Sequence, residues 1–368
     1  MSLTAADVTA DVAEALFLQP AELDHQLDLR DQGMDSVRTM ELVDRWRRAG
    51  VPGISFIALA EDRRLERWIE VVRELQPGAA EPPSLRTCIA TVSLGGSLTD
   101  KLDAVAAAGF GGIELLDADL CDSSLSASEV AARCADLGLT IDAYQPFRRA
   151  EGVSAAEFTD VLARFRGELD VMAGLGTGSI LVVSNTDDDA DPDRDLSARQ
   201  LSALADAAAE RGMSVTYEAL AWGTHVGRFA DAWDVVRRAG HPALTVTVDT
   251  FHMISRGEDA GALDGVPMDK ISLAQVADAP MLSMDLKQWS RNHRCLPGDG
   301  EFDLRTPLRA LWAAGYRGPL SLEIFNPEIR AQPPHDVAAR GARALDALLA
   351  ELDGAVPGPD ASGDPVRA

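Results

Sequence analysis

The chain is predicted to be α/β: a (β/α)8 barrel preceded by a small all-α helical bundle. Three observations carry this. Apolar residues recur at helical spacing up to about residue 75. Proline, glycine and alanine then interrupt the charged helical pattern at QPGAAEPPS, 76–84. Beyond it, eight short β-rich runs alternate with amphipathic stretches through residue 353.

In the first segment, Val8, Val12, Ala15 and Leu16 share one helical face, and a long loop follows over 19–35. A second helix is expected from Ser36, with Val37, Met40, Leu42, Val43 and Trp46 as its apolar stripe, and a third over 64–75 with Leu65, Trp68, Ile69 and Val72. Three or four such helices pack as a bundle. We place this domain at 1–76, a linker at 77–86, the barrel at 87–353 and a Pro/Gly-rich tail at 354–368.

The eight expected strands are 87–94, 112–116, 140–145, 179–184, 214–219, 244–249, 271–276 and 320–325. Helical stretches such as 98–108, 201–211 and 229–239 lie between them, each followed by glycine, which suits the left-handed residue ending a helix. An open doubly wound sheet is the second choice, since no GxGxxG phosphate loop is present.

The charge balance narrows the function. With 34 Lys and Arg against 59 Asp and Glu, the net charge is −25, which argues against a nucleic-acid partner. No apolar run is long enough to span a membrane and no basic leader opens the chain, so a soluble cytoplasmic protein is expected. Four scattered cysteines (Cys88, Cys121, Cys134, Cys295) form no CxxC pair, which fits a reducing compartment.

Two sets of residues carry chemistry. Ser36 sits in DQGMDSVRTMELVDRW at the start of a helix, where a serine caps free amides or presents a hydroxyl at a positive helix end. In the barrel, chemistry belongs at the C-terminal strand ends. There Glu218 closes strand five, Asp249 strand six with His252 just beyond, Gln275 lies on strand seven and Glu323 on strand eight. A carboxylate inside an apolar strand is costly unless paired, with Arg148 or Arg294 for example, or bound to a cation. Oxygen donors of this kind suit Mg²⁺ or Mn²⁺ better than tetrahedral zinc; Co²⁺ stays open.

GMDSVR and the distal WIEVV resemble the aryl carrier domains attached to isochorismatases and other siderophore enzymes, over roughly residues 5–75. Met34 replaces that family's usual leucine. The resemblance implies that Ser36 carries 4′-phosphopantetheine, added by a phosphopantetheinyl transferase. The strings GFGGIELLDADL, AYQPFR, YEALAWGTHV, VDTFHMISRG, QVADAP, QWSRNHRCLPGDGEFDL and SLEIFN resemble bacterial 3-dehydroshikimate dehydratases of the xylose-isomerase-like superfamily, over about 87–330. Asp117 stands where relatives often have Glu, and the dioxygenase-like domain that follows the barrel in some of them is not seen.

That second resemblance implies a divalent metal held by Glu218, Asp249, Gln275 and Glu323, His252 as general base, and Arg148, Ser290 and Arg294 lining a pocket for 3-dehydroshikimate, with His225 behind it. The product would be protocatechuate (3,4-dihydroxybenzoate). The fusion suggests that an aryl-adenylating enzyme loads an aryl acid onto Ser36 for a downstream synthetase, as in siderophore or other secondary-metabolite assembly. Two readings compete: an isomerase or epimerase on the same metal barrel, and a carrier or docking protein with a silent barrel.

Overall fold

The computed structural model describes residues 3–25, 27–51, 53–60, 62–75 and 86–353. The chain divides into two compact units, Met1–Ser84 and Leu85–Ala368. The expected linker, apart from Arg86, and the expected tail lie outside the described residues.

The first unit contains α1 (Ala5–Leu16), α2 (Ser36–Arg48), α3 (Phe56–Ala60) and α4 (Leu65–Glu74). Thr4 and Asp7 form a reciprocal capping box at the start of α1. Val12, Leu42, Val43, Trp46, Leu65 and Trp68 meet in the core, where the two indoles pack edge to face, 6.2 Å between centroids. Each indole N–H finds an acceptor, Trp46 at Asp11 Oδ2 (2.7 Å) and Trp68 at the Leu59 carbonyl (2.8 Å).

Two expectations for α2 are corrected. Its buried face is Thr39, Leu42, Val43 and Trp46, whereas Val37 and Met40 are 68% and 46% exposed. At 3.6 residues per turn those two fall on the opposite side from Trp46. The cap is Asp35, not Ser36: Asp35 Oδ1 accepts from the amides of Val37 (3.0 Å) and Arg38 (2.9 Å). Ser36 is exposed at the first turn.

The second unit is a closed barrel of eight parallel strands, each paired with its sequence neighbours and β1 with β8. The strands are β1 (Thr87–Ala90), β2 (Gly112–Leu116), β3 (Thr140–Phe147), β4 (Ser179–Val183), β5 (Ser214–Glu218), β6 (Leu244–Asp249), β7 (Ile271–Val276) and β8 (Leu320–Leu322). All eight expected strands exist. β1 ends early, in a 3-10 turn at Thr91–Ser93, β3 runs two residues further than expected, and β8 stops before Glu323.

Two apolar layers hold the barrel. A large cluster fills the space between strands and outer helices; a small one, Ala143, Leu181, Val183, Leu220 and Leu273, fills the interior. Side chains alternate across each strand, so Thr216 shares a face with Glu218, and Thr247 with Asp249. The Thr216 and Thr247 hydroxyls lie 2.7 Å apart, with the two carboxylates one layer above them. No helix among the described residues is long and apolar enough to cross a membrane.

Candidate metal and substrate site

Strand ends bring the expected side chains together. Glu218 and Asp249 are the last residues of β5 and β6; Asp249 pairs in register with Gln275 on β7, and Gln275 with Ser321 on β8, two residues before Glu323. All four are buried, Gln275 completely. Asp249 Oδ1 caps the helix Thr250–Ser255, accepting from the amides of Phe251 (2.6 Å) and His252 (3.3 Å). That cap turns Oδ2 inward and sets His252 one turn away.

Donor atoms of Glu218, Asp249 and His252 lie within 4.8 Å of one another. His252 Nε2 is 3.6 Å from both Glu218 Oε1 and Asp249 Oδ2. The Ala221 amide donates to its Nδ1 (3.2 Å), and Arg294 Nη2 lies 3.2 Å from Nε2. A neutral imidazole accepts at one nitrogen only, so these two contacts compete. Both oppose a second ring proton, and burial pulls the pKa down to about 3 against the pull of Asp249.

Arg294 is 1% exposed. Its Nη1 donates to Asp249 Oδ2 (2.9 Å) and Glu323 Oε2 (3.0 Å), while Nε and Nη2 donate to Ser290 Oγ (3.2 and 2.9 Å). Arg294 lines the cleft as expected, but its guanidinium is already bonded to two carboxylates, with Ser290 as its support. Arg148 is exposed at the cleft mouth, 3.5 Å from Asp117. His225 lies apart from this group. Its Nε2 is 2.9 Å from Glu151 Oε2 and 3.1 Å from Ser197 Oγ, and Tyr217 donates to the other oxygen of Glu151 (3.0 Å).

The cleft is lined by Gln145, Arg148, Glu218, Trp222, His252, Arg291, Arg294, Glu323 and Phe325, among others. Four of these were not foreseen. Arg291 is half-buried, its guanidinium 4.3 Å from the Phe325 ring centroid and 5.8 Å from that of Trp222. Trp222, Arg291 and Phe325 lie beyond the strand ends, where the polar close of a β-run gives no signal. Gln145 closes the expected run 140–145 as Glu218 closes its own, so the same signal marks it, whereas the buried Glu114 sits in the middle of β2 and closes nothing.

The donors fit a hard divalent cation. Glu218, Asp249 and Glu323 are buried acids around one buried guanidinium, Arg294, and a fourth buried acid, Glu114, stands behind Gln275. Burial and neighbouring carboxylates push Glu218 and Glu114 well above the usual range, and burial raises Glu323; at Asp249 the Arg294 and His252 contacts outweigh burial and hold the pKa low. Glu114 Oε1, Glu218 Oε1 and Gln275 Oε1 are buried with no hydrogen-bond partner among the described residues. Unpartnered oxygens amid excess negative charge are what a cation satisfies.

A family model described as xylose isomerase-like TIM barrel matches residues 102–348. A 3-dehydroshikimate dehydratase of Pseudomonas putida is 47% identical over 261 residues, 71% of this chain and 41% of that protein. The chain thus spans less than half the length of that relative. A solved xylose isomerase-like TIM barrel/4-hydroxyphenylpyruvate dioxygenase fusion protein superposes with a TM-score of 0.72 at 44% identity, covering 75% of this chain and 45% of its own. The acyl carrier protein ScoB of Streptomyces coeruleorubidus is 39% identical over 77 residues, 21% of this chain and 89% of that protein.

Proposed function

From a chain that belongs to the xylose isomerase-like TIM-barrel family, we propose a lyase that dehydrates 3-dehydroshikimate to protocatechuate, fused to a carrier domain. The 47% identity to the P. putida dehydratase over 261 residues carries the choice of substrate. The site residues supply the chemistry.

Glu218, Asp249, Gln275 and Glu323 would hold Mg²⁺, Mn²⁺ or Co²⁺. A divalent cation there supplies positive charge beside the C3 ketone and so acidifies the C4 proton. His252, neutral and lining the cleft, takes that proton. The C4–H bonding pair becomes the C4–C5 double bond as the C5 hydroxyl leaves, protonated to water. Loss of a C6 proton and protonation of the ketone oxygen then complete the aromatic ring. Arg291, together with Arg148 on release from Asp117, would meet the substrate carboxylate, since Arg294 serves Asp249 and Glu323. His225 would stiffen the loop between β5 and the next helix through Glu151.

In the carrier domain, Asp35 caps α2 and leaves the exposed Ser36 hydroxyl available for 4′-phosphopantetheine. The 39% identity to ScoB supports the assignment. A phosphopantetheinyl transferase would modify Ser36, and an aryl-adenylating enzyme would load it for a downstream synthetase in siderophore or other secondary-metabolite assembly. The test is turnover of 3-dehydroshikimate by the chelated chain before and after Mg²⁺, Mn²⁺ or Co²⁺. Metal-dependent protocatechuate, lost on His252→Ala, supports the reading; an isomerised ketone as product, or no product with any metal, sinks it.

A further inference from the structure

An amide ligand has two unlike ends. The carbonyl oxygen of Gln275 can bind a cation, whereas its NH₂ group repels one, so a neighbour must decide which end faces the cleft. Glu114, in the middle of β2 and fully buried, stands behind it. Glu114 Oε2 accepts from Gln275 Nε2 (2.7 Å) and from Gln145 Nε2 (2.9 Å). The same Gln145 nitrogen donates to Glu323 Oε1 (3.1 Å). With its NH₂ bound to Glu114, Gln275 is left with Oε1 as the buried, unpartnered atom. Turning the amide over would set Gln275 Oε1 against the Glu114 Oε2 that now accepts its NH₂, replacing a hydrogen bond by a contact between two acceptors.

We infer that Glu114 is a positioning residue that turns the carbonyl oxygen of Gln275 toward the cation and, through Gln145, fixes Glu323 Oε1. The inference rests on the metal site proposed above. Glu114 is fully buried and is not among the residues that line the cleft, so its action runs through Gln275 and Gln145. Orientation of this kind belongs to the outer partners of metal sites, whose loss costs roughly 10–100-fold in affinity.

The readout is Mn²⁺ affinity of the full chain, measured by electron paramagnetic resonance of free Mn²⁺. Glu114→Met, which removes the acceptor, should weaken binding by roughly 10–100-fold, while Glu114→Gln, whose side-chain oxygen still accepts from both amides, should stay within about threefold of wild type. Wild-type affinity in a folded Glu114→Met, or equal losses in both variants, would overturn the inference. If Glu114→Met does not fold, an exchange of the pair decides. Glu114→Gln with Gln275→Glu restores an amide–carboxylate hydrogen bond and should bind Mn²⁺ more tightly than Gln275→Glu alone; the same or the reverse order refutes the role. The site itself fails separately, if the wild type binds no Mn²⁺ or if Glu218→Ala binds it as tightly.

Discussion

Replacing Arg294 by methionine tests the electrostatics of the barrel mouth. The guanidinium is 1% exposed and gives Nη1 to both Asp249 Oδ2, at 2.9 Å, and Glu323 Oε2, at 3.0 Å. Methionine is an unbranched apolar side chain, so the change removes charge, donors and the guanidinium stacked over the Phe251 ring, 4.6 Å from its centroid. Breaking a buried pair from one side costs about 3–5 kcal/mol, because the remaining charges stay desolvated. Two carboxylates lose their partner here. Relief through protonation of Glu323, already raised by burial, limits the loss, and the expected cost in chelator stays at about 3–5 kcal/mol.

A bound divalent cation supplies the charge that methionine cannot. Urea unfolding of Arg294→Met and wild type, in chelator and at saturating Mn²⁺, should therefore show a large gap that narrows when metal is added. At saturation the gap closes by the ratio of the two affinities, so Mn²⁺ binding roughly tenfold tighter to the variant, once the competing guanidinium is gone, recovers about 1.4 kcal/mol. Equal stability of the two proteins in chelator would show that Arg294 does not balance the acids. A gap of the same size with and without Mn²⁺ would show that metal and guanidinium do not answer the same charges.

Arg291→Met should raise KM for 3-dehydroshikimate by roughly 10–100-fold, the value of a charge-assisted hydrogen bond, with a smaller change in kcat; an unchanged KM removes Arg291 from carboxylate binding. Ser36→Ala should leave dehydration intact and abolish the mass gain produced by a phosphopantetheinyl transferase with coenzyme A, whereas Asp35→Ala should destabilise the first unit by about 0.5–2 kcal/mol through loss of the cap. A mass gain on Ser36→Ala places the arm elsewhere. His225 and Glu151 give a pH signature. The hydrogen bond to Glu151 raises His225, a contribution fully present below pH 6.5 and lost as pH rises through the folded value; burial raises Glu151, but His225, Ser197 and the Asn185 amide outweigh it, a contribution present above 4.5 and lost as pH falls through the lowered value. The stability difference between wild type and His225→Gln should therefore peak between pH 4.5 and 6.5; a difference flat from about pH 5 to pH 9 refutes the pair.

The fold was legible because its signals are local and repeated. Each strand is a short apolar run ending at a polar residue, and β5, β6 and β7 match their expected starts. The convergence of Glu218, Asp249, Gln275 and Glu323 was legible for the same reason: a polar side chain near the end of an apolar β-run has nowhere cheap to point except the mouth. The direction of a long side chain was not. Arg294 and Arg291 stand three residues apart on one short segment, and nothing in QWSRNHR says which turns down to Asp249 and Glu323 and which stays at the cleft. That choice depends on acids from β6 and the end of β8, distant in sequence. Glu114 hid for a related reason. Its value lies in bonds to amides on β3 and β7, and its own strand, GIELL, reads as one buried acid among apolar neighbours. What the sequence leaves unread is thus the second layer, where residues act on one another across the barrel and each strand holds only one end of the contact.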